Sequence, residues 1–153
     1  MTVFENICSF LRAQNISFRT VHHQPAFTSE ESARARVEEI KIGGKAIVMK
    51  TGEEFILLVL SAALKVDSKK IKQYFHAKSV RFASSEELFS LTGLVPGSVP
   101  PFGKPILHLK LFIDSSVTQN KNIAFNAGSL TDSIIMQTQD YLAAANGTII
   151  SFT

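Results

Sequence analysis

What this sequence lacks narrows its chemistry before any motif is read. It has a single cysteine, Cys8, and no tryptophan among 153 residues. One cysteine cannot form an internal disulfide, so stability must come from the core, and a reducing, cytoplasmic setting is expected. A chain of this length can bury about 70% of the surface its unfolded form exposes, enough for a core without a metal or a covalent staple. Long apolar runs are also missing. The longest, Phe55 to Leu64, is broken by Ser61, and at about ten residues it is half of what a membrane-spanning helix needs. The first residues, Met1 to Arg12, carry Glu5 and no apolar stretch with a small-residue cleavage site, so no leader is expected. Metal ligands are few: His76 and His108 are scattered, and His22 and His23 are adjacent, which on a strand puts them on opposite sides, so no metal or other cofactor is expected. Eight glycines, five prolines and 19% charged residues exclude disordered, collagenous and coiled-coil chains. With no repeat and no linker-like stretch, one domain over residues 1–153 is expected.

Periodicity supplies the elements. Val3, Phe4, Ile7, Phe10 and Leu11 recur at spacings of three and four behind a Thr2–Glu5 capping pair, which predicts a first helix ending near Asn15. Alternation from Ile16 to His22 predicts a strand stopped by His23-Gln24-Pro25, and Thr28 with Glu31 opens a short helix to about Val37. Lys45 to Thr51 and Glu54 to Ser61 read as two core strands of a hairpin turning at Gly52 and Glu53. Asp67 caps a basic helix to Phe75, Ser79 to Phe82 is a strand, and Ser84 with Glu87 caps a helix ending at Gly93. Strands are predicted at Leu107 to Ile113, Asn122 to Phe125, Ser133 to Thr138 and Thr148 to Phe152, with a helix from about Gln139 to Ala145. Helices and strands interleave without strict alternation, the pattern of a mixed α+β fold.

Three segments hold residues suited to chemistry. Pro25 to Ala33 is a turn feeding a capped helix. In Gly43-Gly44-Lys45-Ala46-Ile47-Val48-Met49, a lysine enters an apolar strand after two glycines that allow close approach of a ligand. Gly93 to Gly103 packs three glycines and three prolines into a loop, a costly backbone of the kind that presents main-chain N–H groups to an anion or carbonyl. The +3 net charge is unevenly spread: Lys65, Lys69, Lys70, Lys72, Lys78 and Arg81 face Asp67 alone, a local +5. That stretch reads either as a solvated helix face or as a docking face for phosphates. Cys8, beside Ile7 on the apolar face of the first helix, reads as a small core residue. A phosphate-binding glycine loop, a Gly-x-Ser-x-Gly elbow and a His-Glu-x-x-His helix are all absent from the sequence.

In this order, and with Phe125-Asn126-Ala127-Gly128-Ser129 near the end, these segments resemble the YbaK and ProRS-associated (INS-like) family of aminoacyl-tRNA deacylases. The likeness covers nearly the whole chain, and the Gly-Leu-Val-Pro-Gly-Ser-Val-Pro-Pro-Phe-Gly loop is its most specific part. It implies a mixed, barrel-like β-sheet flanked by helices and an enzyme that hydrolyses, in trans and without a metal, the ester of a mischarged tRNA. The partners it implies are the aminoacyl-tRNA acceptor end and, secondarily, an aminoacyl-tRNA synthetase, with no membrane and no DNA. Position by position it implies Lys45 as the central lysine, Gly97 as the loop glycine lining the scissile ester with Ser98 beside it, and Phe27 and Thr28 before the pocket helix. Ala46 follows the lysine, where several members carry Asn or Thr. Asn126, Ala127 and Gly128 form the opposite wall, and some members are polar where this chain has Ala127. Lys69, Lys70 and Lys72 are the candidate tRNA contacts. Two other readings remain open at this point: a non-catalytic tRNA- or synthetase-binding module of the same fold, and a small-molecule binding protein whose loop closes a pocket.

Overall fold

The computed structural model describes all 153 residues. Helix α1 (Val3–Ala13) begins where the Thr2 hydroxyl accepts the Glu5 N–H, and it buries Ile7, Cys8 and Leu11. Asn15 turns into the left-handed region and the Ile16 N–H donates back to Leu11, so strand β1 is Phe18–His22, two residues shorter than the alternation predicts. Helix α2 (Ser29–Arg36) is capped by Thr28 and stops at Val37, and one turn of 3₁₀-helix (Ile40–Ile42) leads into β2 (Gly44–Thr51). The turn at Gly52, with φ of +63°, returns the chain as β3 (Glu54–Ser61), followed by α3 (Ser68–Phe75), β4 (Val80–Phe82) and α4 (Ser85–Thr92). After the Gly/Pro loop come β5 (Lys110–Asp114), a 3₁₀-turn (Ser115–Gln119), β6 (Asn122–Asn126), β7 (Asp132–Gln137), α5 (Thr138–Ala145) and β8 (Thr148–Ile150).

Two sheets result, ordered β4-β2-β3-β5-β8 and β1-β7-β6. The mixed α+β class is as expected, but the sheet does not close into a barrel. The two sheets share the large core but are joined in backbone pairing by one isolated bridge, between Gly43 and Ala124, and the edges of the larger sheet are the three-residue strands β4 and β8. The expected strand over Leu107–Ile113 begins only at Lys110. The Ile106 and Leu107 N–H groups both turn back to the Gly103 carbonyl, so Leu107 and Leu109 reach the core from a loop.

The apolar run of β3 is explained by its central position, where both faces are covered. Leu57 and Val59 enter the large core with α1, the Gly/Pro loop and α5, while Ile56, Leu58 and Leu60 enter a second core under α3 with Met49, Ile71 and Phe152. The Gly/Pro loop is fixed from beneath. Phe102 stacks edge-on between Phe125 and Tyr141, and the Tyr141 hydroxyl donates to the Pro101 carbonyl at 2.6 Å. That anchoring holds the upstream part of the loop over β2.

Candidate active site

A cavity of about 310 Å³ opens along the free edge of β2. Strand β4 pairs only with Met49–Thr51, and the Ala83 N–H closes the ladder on the Val48 carbonyl, so the edge from Gly44 to Val48 has no strand beside it. Ser32 and Ala33 of α2, Leu88 of α4, Pro96 and Gly97 of the loop, and Asn126 at the end of β6 complete the walls. No three His, Cys, Asp or Glu side chains stand close enough together to hold a metal ion.

Lys45 lies on this edge, and its ammonium donates to the Leu64 carbonyl at 3.1 Å. Burial lowers its pKa below the ordinary lysine range; Glu30 pulls upward and Lys65 pulls it further down. Lys50, five residues on, lies outside the cavity over the Phe55 ring at 5.6 Å, on the stretch of β2 that β4 covers. The glycines before Lys45 serve a purpose other than ligand approach. Gly43 has φ of −60°, open to any residue, but a Cβ there would stand 2.9 Å from Ala62 Cβ, and one at Gly44 would stand 2.6 Å from Ile123 Cδ1. The protein's own side chains occupy the space.

Gly97 needs to be glycine for its backbone: φ is +90°, and a Cβ would crowd the Phe27 carbonyl at 3.3 Å. Its carbonyl accepts from Asn126 Nδ2 at 2.7 Å, and its N–H has no partner within the protein. Asn126 is buried, and its Oδ1 accepts from Arg36 Nη2 at 2.9 Å and from the Ser133 hydroxyl at 3.1 Å. Arg36 Nε donates to the Ser133 oxygen at 2.9 Å, and His23 Nε2 reaches the same oxygen at 2.8 Å. Arg36 is only 7% exposed and burial lowers its pKa to about 10, with Glu38 opposing. Neither Arg36 nor Lys45 forms an ion pair. Two unpaired cations therefore line one cavity, although buried charges are ordinarily matched.

The structure brings Phe27, Thr28, Lys45, Ala46, Gly97 and Asn126 together around the cavity. Phe27 is exposed at its rim, and the Thr28 hydroxyl is engaged in capping Glu31. Ser98, Ala127 and Gly128 stand off it, contrary to expectation. The Ser98 hydroxyl turns back to the Val95 carbonyl, the Ala127 side chain is fully buried in the large core, and a Cβ at Gly128 (φ +75°) would collide with Val3. Lys69, Lys70 and Lys72 are exposed on α3, where Lys70 donates to the Thr153 main-chain oxygen at 2.6 Å. Arg81, from the same basic stretch, is committed to Glu87 through bonds of 2.7 and 2.9 Å. Sequence reasoning missed Arg36 and Ser32. A basic residue in the last turn of a helix is what the helix dipole favours anyway, so Arg36 gave no separate signal.

The family model of the aminoacyl-tRNA editing domain matches residues 23–144, the span that contains every wall of the cavity. The chain belongs to the aminoacyl-tRNA editing domain family. This editing domain is 30% identical to the multifunctional Ser/Thr-tRNA deacylase ProXp-y of Escherichia coli, over 97% of this chain and 91% of that one. It is 22% identical to the prolyl-tRNA editing protein ProX of Acetoanaerobium sticklandii, over 86% and 85% of the two chains. A crystal structure described as that of a candidate trans-editing enzyme for prolyl tRNA synthetase superposes with a TM-score of 0.82 at 20% identity, covering 100% of this editing domain and 98% of the other chain; that likeness speaks to the fold.

Proposed function

We propose that this editing domain is a trans-acting cytoplasmic deacylase that removes a small, hydroxyl-bearing amino acid, serine before threonine, from the acceptor end of a mischarged tRNA. The observation that carries this reading is the cavity itself, with two unpaired cations and an unpartnered Gly97 N–H on its walls. About 310 Å³ lies at the lower end of ligand pockets, suited to an aminoacyl group and too small for a nucleotide as well. Ser32 is buried, and its hydroxyl has only a long contact, 3.4 Å, from Asn126 Nδ2. Its own proton is free for a substrate hydroxyl, and a site that hydrogen-bonds a hydroxyl discriminates strongly against an analogue without one. The name of the Escherichia coli relative supports the same class.

The ester is already activated, so the chemistry asks mainly for alignment and for stabilisation of the oxyanion that forms when water attacks the carbonyl. The Gly97 N–H supplies one donor and the Lys45 ammonium a mobile positive charge. The vicinal ribose hydroxyl of the tRNA can place the water, and the departing ribose oxygen takes up the proton that the water loses. Outside the cavity, Lys69 and Lys72 contact RNA phosphates. Neutralising both raises the apparent KM for charged tRNA and flattens its salt dependence, with little change in the chemical step; unaltered binding at every salt concentration would leave them a solvated helix face. The deacylase reading is tested by incubating the purified protein with a panel of mischarged tRNAs. Seryl-tRNA is cleared fastest and bulky apolar aminoacyl esters persist; binding without turnover of any member would favour a non-catalytic module.

A further inference from the structure

Asn126 lines the same cavity as Lys45, and its amide fits its surroundings in only one orientation. Gly97 presents a carbonyl, which accepts, so Nδ2 must face it, and Arg36 presents a guanidinium, which only donates, so Oδ1 must face that side. A flipped amide would set a carbonyl against the Gly97 carbonyl and an NH₂ group against a cation. Arg36 and Ser133 on one side and the Gly97 carbonyl on the other thus fix which way the Asn126 amide points, and Arg36 is the charged member of that set. That amide in turn holds the Gly97 carbonyl, and with it the turn whose Gly97 N–H has no protein partner. The same edge of the guanidinium donates through Nε to Ser133. Nη1 makes no hydrogen bond in the protein, although Arg36 lines the cavity. A lysine in its place could not serve two acceptors from one rigid plane.

We propose that Arg36 is a positioning residue for deacylation, aiming the Gly97 N–H at the scissile ester through the Asn126 amide. The proposal rests on the deacylase reading for its effect on rate, while its structural step can be read without turnover. The experiment pairs single-turnover kinetics on seryl-tRNA with ¹⁵N–¹H spectra of the full chain, for Arg36→Met, Asn126→Ala, the double variant and Arg36→Lys. Each single variant lowers the rate constant at least about tenfold, while half-saturating protein concentration moves less than about twofold. Because both residues act through one contact, the double variant is no slower than about twice the slower single variant. Arg36→Lys recovers little. In the spectra the Gly97 amide shifts in Arg36→Met and Asn126→Ala alike, while the distant Phe152 amide stays in place.

Additive losses in the double variant, or a Gly97 amide unmoved in Arg36→Met, would overturn the proposal, as would a loss confined to half-saturation. Should Arg36→Met be too unstable to purify, Arg36→Lys with Asn126→Ala gives the same decision through the Gly97 amide. A wild-type protein inert toward every charged tRNA would sink the deacylase reading, and the spectra would still decide whether Arg36 sets Gly97.

Discussion

Arg36 and Asp114 are both charged, both buried, and differ in what is left over once their contacts within the chain are made. Asp114, fully buried at the end of β5, accepts from the Phe152 N–H at 2.7 Å, the Ser116 N–H at 3.0 Å and the Thr153 hydroxyl at 3.1 Å. Burial by itself raises its pKa, yet these bonds together bring it below the usual aspartate value. It ties the final residues to the sheet and holds Phe152 in the second core. Arg36 binds Asn126 and Ser133, keeps one nitrogen without a partner and faces a cavity. Burial of charge therefore does not mark a functional site. Unused hydrogen-bonding capacity at a cavity does, because a saturated charge has nothing left to offer a ligand.

If Asp114 is purely part of the fold, Asp114→Ala strands the buried Phe152 N–H together with two half-buried donors and costs about 1 to 3 kcal/mol of stability. Urea unfolding gives that number, and activity per folded molecule should match wild type; lost activity with intact stability would erase the contrast between the two charges. On the cavity side the effect falls on rate. Lys45→Ala keeps its unfolding midpoint and loses at least about tenfold in single-turnover hydrolysis, roughly 1.4 kcal/mol of transition-state stabilisation, and Lys45→Arg restores little.

The pH profile sharpens the comparison with a smaller effect. If the role proposed for Lys45 needs its ammonium form, the pKa that burial lowers makes activity fall as pH rises, starting below the ordinary lysine range near 10.4. Rates corrected for spontaneous alkaline hydrolysis will show whether that limb disappears in Lys45→Ala, as it must if this ammonium is its source. Smallest of all is Lys50→Ala, whose side chain lies off the cavity beside Phe55; its turnover should stay at the wild-type rate, and a clear loss would mean that the site extends past the free edge of β2 to the part that β4 covers.

Most of the fold could be read from local pattern. The four side-chain caps at Thr2, Thr28, Asp67 and Ser84 stand where the sequence puts them, because a capping hydroxyl or carboxylate needs only residues two or three positions away. The strand expected from Leu107 begins later because apolar side chains report burial and not backbone path; Leu107 and Leu109 are buried from a loop in which the Leu107 N–H donates to Gly103 and the Leu109 N–H to Leu107. Barrel closure was not legible, since it depends on how many pairs join distant edges, and here one bridge joins them.

At the cavity, the spacing around Lys45 and Gly97 singled out segments, and the resemblance supplied roles for residues within them. Their near neighbours Ser98 and Ala127 do not share the cavity: Ala127 follows the end of β6 with its side chain turned into the core, and Ser98 closes its own turn onto Val95. Arg36 escaped notice because its partners Asn126 and Ser133 lie 90 and 97 positions away in the chain. A network of that reach exists only once the smaller sheet has packed against α2.

The account stands or falls on turnover at this cavity. Purified protein in excess is mixed at neutral pH with seryl-tRNA, and the surviving ester is followed for wild type and Lys45→Ala side by side. The account predicts first-order loss with wild type well above buffer, and a rate at least about tenfold lower with Lys45→Ala. Equal rates for the two proteins would contradict the role given to Lys45, and a wild-type rate no faster than buffer, for seryl-tRNA and for every other charged tRNA, would contradict the deacylase itself.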